Sequence, residues 1–208
     1  MVATHQPVAT GRVAQKNRTR QRLLSAATHL ARTNRAVTLE DAAAAAGMSR
    51  ATAFRYFTTD SLQLELALTM ALDSVDGPVA EVERLCREIT DHADRVEAVV
   101  RCMARWSWHT QPALRILLRH SLEANYHRPG HRQHWIDLAL QPALNDLGPT
   151  QTIQLSRALT LLFGVDPLLF LTDLLHLDLD DTLDTLGFAA RAMVSAALNT
   201  GAAHVQAS

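Results

Sequence analysis

Cysteine is nearly missing from this chain: 208 residues contain two, Cys86 and Cys102. Two thiols cannot staple a protein of this length into a disulfide framework, so a small secreted scaffold is excluded and a reducing cytoplasm is expected. Strand signals are also sparse. Alternating β-branched or aromatic runs are few, and apolar residues recur at intervals of three and four, which predicts an all-α fold. An apolar signal core is missing from Met1 to Asn17, which is polar, basic and turn-prone and is expected to form a flexible arm over residues 1–17. The longest apolar stretch, Ala158 to Leu175, is interrupted by Asp166, Pro167 and Asp173. It reads as a buried, kinked helix rather than a membrane span. No nucleophile with a base and orienting group, no phosphate loop and no paired carboxylates in a catalytic setting are visible, so no enzyme activity and no cofactor are expected.

What the chain does have is a division of charge. The formal net charge is −1, but residues 1–57 hold nine basic side chains (Arg12, Lys16, Arg18, Arg20, Arg22, Arg32, Arg35, Arg50 and Arg55) against two acids, Glu40 and Asp41, a net of +7. The remainder carries eleven basic and nineteen acidic residues, a net of −8. A basic end on an acidic body suits a protein that meets phosphates with one part only.

Inside the basic end, Thr38 to Phe57 reads TLEDAAAAAGMSRATAFRYF. Thr38 is a candidate N-cap with Asp41 in a capping-box position, Leu39 to Ala46 is rich in helix formers, and Gly47 closes that helix. Ser49 is placed to cap a second helix running through Phe57, leaving a turn of about three to four residues. This is a helix-turn-helix pattern. On the second helix Ala53 and Phe57 share the packing side, while Ala51, Thr52 and Arg55 face the other way. That free face offers a guanidinium for guanine, a hydroxyl, and a methyl for thymine, with Arg50 at the helix start and Phe54 and Tyr56 flanking. A surface helix with ordinary arginines explains the second segment alone equally well; the joined pattern favours a DNA reader.

The first helix is expected over about Arg18 to Thr33, completing a three-helix head over residues 18–60. A fourth helix carrying Leu62, Leu66 and Met70 is expected to end at Gly77-Pro78. The body, residues 61–200 before a tail at 201–208, should hold helices near 79–89, 94–108, 112–126, 134–147, 150–176 and 180–198. In the last of these, Leu183, Leu186, Ala190, Met193 and Ala197 step by three and four, a seam expected to serve a dimer interface.

The head residues resemble the TetR family of bacterial transcriptional regulators: a Leu- and Ala-rich helix, then T-x-E-D, A-G-M-S and R-A-T-A-F-R-Y-F. The run from Ala158 to Leu198 is similar to the paired dimerisation helices of many members. The resemblance implies a homodimer with two DNA-reading heads and a larger helical ligand-binding and dimerisation domain. It also implies a repressor that sits on a palindromic double-stranded DNA operator until a small-molecule effector releases it. Carried onto matching positions, Ser49, Arg50, Ala51, Thr52, Arg55 and Tyr56 would contact bases or phosphates. Phe54 stands where tyrosine is usual, Asp60 near a position often held by lysine, and Ala42 where a larger apolar residue is common.

In the body, Met103 and Trp106 share a helix face, Leu117 and Ser121 align on the next helix, and Trp135 follows, a combination that could line an effector pocket. The same residues also suit an ordinary helical core. His127, His131 and His134 have a metal-like spacing, but Pro129-Gly130 interrupts it and a solvated loop is expected instead. Asp178, Asp180, Asp181 and Asp184 read as helix capping and surface charge. Three functions follow in order: an effector-released repressor, a DNA-binding regulator without an effector or acting as an activator, and a helical enzyme built on the His- and Trp-rich body.

Overall fold

The computed structural model describes residues 11–32, 37–123, 131–141 and 147–206, and among them there is no strand. The fold is all-α. Two compact units divide the chain at Met70/Ala71.

Unit 1 holds α1 (Gly11–Ala31), α2 (Leu39–Ala45), α3 (Arg50–Phe54) and most of α4 (Thr59–Asp73). Its core is Leu23 and Ala27 of α1, Leu39, Ala42 and Ala43 of α2, Ala53, Phe57, and Leu62 and Leu66 of α4. The head therefore reaches beyond the expected boundary at residue 60, because the first half of α4 supplies two of the leucines that close its core. The first helix also starts earlier than expected: Gly11 to Asn17, assigned to an arm by composition, is the first part of α1. Residues 1–10 of that arm lie outside the described residues. Ala42 is fully buried in the head core.

Unit 2 holds α5 (Asp76–Glu88), α6 (His92–His109), α7 (Gln111–Glu123), α8 (His131–Leu140), α9 (Pro149–Thr160), α10 (Val165–Leu169) and α11 (Leu179–Gln206). Gly77-Pro78 was expected to end α4, but it lies in the first turn of α5. Proline is tolerated there because a first-turn N–H has no intrahelical acceptor to lose. The Ala158–Leu175 run, expected as one kinked helix, is broken: α9 ends, Gly164 takes φ +89°, α10 follows, and Phe170–Leu174 winds as a π-helical turn. Among the described residues its outer side is not covered, since Leu161, Phe170, Leu174 and Leu175 are exposed. Among the described residues no single helix is long and apolar enough to cross a membrane; α9 and the run from Val165 to Leu174 are bent by 51°.

The core of unit 2 is built chiefly by α6 against α11. Val96, Val99, Val100, Met103 and Ala104 meet Leu183, Leu186, Ala190 and Val194 in one buried cluster, joined by Ile136 and Leu140 of α8 and Leu155 and Leu159 of α9. Three of the five residues expected at an interface turn into this core. Leu183, Leu186 and Ala190 are 2%, 3% and 0% exposed, so they lie in the chain's own core, and half-buried Met193 and Ala197 pack against it. A three-four apolar spacing describes any buried helix stripe, whether the partner is another helix of the chain or a second chain.

Charges fasten the edge of the same pair. Arg101 reaches Asp184 at 2.7 Å and Glu97 at 2.9 Å, and Arg191 reaches Glu97 at 2.5 Å and also pairs with Asp94. Burial pushes the Glu97 carboxyl up, but hydrogen bonds from Arg191 and Arg101 outweigh it and hold the group below its usual range. Asp178 caps α11 by accepting from the Asp181 N–H at 2.9 Å, as its place before the helix suggested.

Candidate nucleic-acid interface

The geometry of unit 1 is set by helix ends. Thr38 Oγ1 accepts from the Asp41 N–H at 3.0 Å, while Asp41 Oδ2 accepts from the Thr38 N–H at 3.2 Å, a complete capping box that starts α2. At the other end Gly47 takes φ +64°. The Met48 N–H reaches the Ala43 carbonyl at 2.8 Å and the Gly47 N–H reaches Ala44 at 3.0 Å, the two bonds of a Schellman motif. Arg22, on α1, adds a third tie by donating to the Ala46 carbonyl at 3.0 Å. A cation there also meets the negative end of the α2 dipole.

Ser49 then opens α3, its Oγ accepting from the Thr52 N–H at 3.2 Å. The second helix was expected through Phe57, but regular α-helix stops at Phe54. The following turn tightens, with the Arg55 N–H on Thr52 O at 3.2 Å and the Tyr56 N–H on Ala53 O at 2.9 Å. The cause is the start of α4 close behind: Thr58 and Ser61 exchange backbone-to-hydroxyl bonds of 2.9 and 3.1 Å, forming the next N-terminus.

Ala53 and Phe57 are buried, whereas Ser49, Arg50, Ala51 and Arg55 are exposed, so the packing and free sides divide as the wheel predicts. Two residues differ from a simple reading face. Thr52 is half-buried with its hydroxyl 2.9 Å from that of Ser49, and Tyr56 is half-buried with its ring against the head core. Both side chains serve the scaffold. The Arg55 side chain makes no hydrogen bond or ion pair with a described residue, leaving its guanidinium available.

Arg50 is engaged. Its Nη2 lies 2.9 Å from Glu40 Oε1, and its guanidinium carbon stands 5.3 Å from the centre of the Phe54 ring. Arg20 stacks at 4.8 Å over Phe57 and pairs with Glu65. The roles of Arg20, Arg22 and Glu40 were not legible in sequence, since each reaches a residue on a different element and no helical period links them.

The body residues scatter. Met103 is buried in the unit 2 cluster, and Trp106 and Trp135 pack against it half-buried. The Trp106 indole donates to Ser74 Oγ at 3.0 Å. Leu117 lies outside that cluster, and Ser121 donates to the Leu118 carbonyl at 2.7 Å, so its hydroxyl is satisfied on its own helix. The structure therefore brings three of the five proposed pocket residues into one packed cluster. An open concavity of about 610 Å³ lies instead on unit 1, lined by Gln21, Arg22, Ser25, Ala26, His29, Ala45 and Ala46. Both cysteine thiols are pushed up by burial, which opposes the thiolate character a redox sensor needs. His127 and the Pro129-Gly130 turn lie outside the described residues. In comparisons with known proteins, no family model and no curated protein matches this chain.

Proposed function

We propose that this protein is a cytoplasmic, sequence-specific transcriptional regulator of the TetR type, which reads double-stranded DNA through α2 and α3. One observation carries the reading: a Schellman-terminated helix at Gly47, a second helix capped by Ser49, and an outward face presenting Ser49, Arg50, Ala51 and Arg55 within the +7 end of the chain. That arrangement projects a guanidinium and a methyl from a short rigid helix into space a major groove would fill.

The protein acts as a homodimer, which places two heads about one helical turn of DNA apart, roughly 34–36 Å or a multiple of it. The seam on α11 is not the contact. Phe188, 73% exposed on the side of α11 opposite Leu186 and Ala190, supports a different face of the same helix, together with exposed Phe170, Leu174 and Leu175. Repression released by a small-molecule effector is the favoured mode. The packing of Met103 into the core favours a second reading for the body, regulation without an effector.

Gel-shift titration against DNA flanking the protein's own gene tests the proposal. Arg55→Ala should weaken specific binding by about fivefold or more, since a bidentate arginine–guanine contact is worth about 1–3 kcal/mol. Unchanged binding after Arg55→Ala would remove α3 as the reading helix.

A further inference from the structure

Glu40 is an acid that touches the outward face of α3. It sits in the first turn of α2, reaches across the turn, and takes the Arg50 guanidinium at 2.9 Å, while the Phe54 ring supports that guanidinium at 5.3 Å. Both partners remain open to solvent, the Arg50 side chain 72% and the Glu40 side chain 44% exposed. The pair is therefore reversible: an exposed ion pair holds its arginine weakly, and an incoming anion can take its place.

Resting on the reading of α2 and α3 as a DNA-binding pair, we infer that Glu40 is an internal competitor for the phosphate or base that Arg50 binds. The carboxylate holds Arg50 over Phe54 in the free protein, and DNA engages Arg50 by displacing it. Glu40 thereby sets how tightly the head holds any DNA without contacting DNA itself. Its removal strengthens binding to phosphates regardless of sequence, so the residue keeps the regulator from occupying non-operator DNA. A purely structural strut between α2 and α3 predicts the opposite sign, because loosening the pair would disorder the reading face and weaken binding.

The test uses the full-length protein and a fluorescein-labelled, mixed-sequence 30-base-pair duplex, with anisotropy titrations from 50 to 200 mM KCl. Glu40→Gln, which keeps size and removes charge, should tighten binding about threefold, the range expected for releasing an exposed pair. The dependence of log K on log salt should steepen, because salt no longer offsets part of its effect by weakening a competing Arg50–Glu40 pair. In an Arg50→Ala background the same substitution should change affinity less than 1.5-fold. A gain that persists with Arg50 absent would assign the effect to the general field of the head and overturn the inference. Weaker binding by Glu40→Gln would overturn it in favour of the strut. Wild-type protein that fails to bind either this duplex or the gene-flanking DNA would overturn the DNA-binding reading itself, whereas wild-type binding with an inert Glu40→Gln would overturn only the competitor role.

Discussion

Helices α3 and α11 are held in place by opposite means. Five-residue α3 is fixed at its ends, by the Ser49 cap, the Gly47 turn before it and the Thr58–Ser61 exchange behind it, with Ala53 as its one buried side chain. Twenty-eight-residue α11 is fixed along its side, through Leu183, Leu186, Ala190 and Val194 against α6 and through arginine–carboxylate pairs at the edge. A helix anchored at its ends keeps most of its surface free for a ligand. One anchored along its length gives that surface to the core and retains only its far side, where Phe188 lies. The contrast explains why the outward residues of α3 suit recognition while the regular stripe of α11 does not.

The contrast is open to separate measurement because Trp106, Trp108 and Trp135 all lie in unit 2, so intrinsic fluorescence reports the body and far-UV circular dichroism reports both units. The largest expected effect is Leu186→Ala. Truncating this 3%-exposed side chain should lower the stability of unit 2 by about 2–5 kcal/mol, read as an earlier urea transition in tryptophan fluorescence. A transition that stays in place but becomes dependent on protein concentration would instead return the seam to a dimer contact.

Next in size is Gly47→Val, which forces a branched side chain into φ +64°. It should cost unit 1 about 1–2 kcal/mol or more, since left-handed backbone is strained for residues with a Cβ. The circular dichroism melt should gain an early phase while the fluorescence transition stays where it was. A shift of both together would show that the two units unfold as one.

The smallest expected effect concerns the charged edge of α11. Because arginine hydrogen bonds hold the folded Glu97 carboxyl below its ordinary value of 4.5, this group adds stability above that pH and loses it as pH falls through the lower folded value. Glu97→Gln should therefore flatten the acid limb of the fluorescence-monitored stability profile below about pH 4.5 and lower stability at neutral pH. An identical acid limb in the variant would assign the acid sensitivity to other carboxylates.

Residue by residue, what was legible was local. Thr38 with Asp41, Gly47, and Ser49 before Arg50 were readable because a cap or a turn is decided within about four residues, and all three form as their spacing indicates. Asp178 was readable for the same reason. The end of α3 was not, because the capping exchange that begins α4 competes for the same stretch, and propensity alone does not say which helix wins. The effector lining was not readable either: Met103, Trp106, Leu117, Ser121 and Trp135 have the composition of a pocket and of a core alike, and only packing separates the two.

By itself, then, the order of residues determined the helical class, the charge division between the two ends, and the capped pair of short helices with Ala53 and Phe57 inward. Each depends on periodicity, on composition or on contacts within a turn. Tertiary structure alone decided that α4 completes the head core, that the α11 seam faces α6, and that Arg50 is held by Glu40 while Arg55 is left free. These are choices among partners ten to nearly a hundred residues apart in the chain, such as Glu40 with Arg50 and Asp94 with Arg191. Apolar stripes and charges are promiscuous in sequence, and they acquire a partner only when burial and chain closure bring one surface against another.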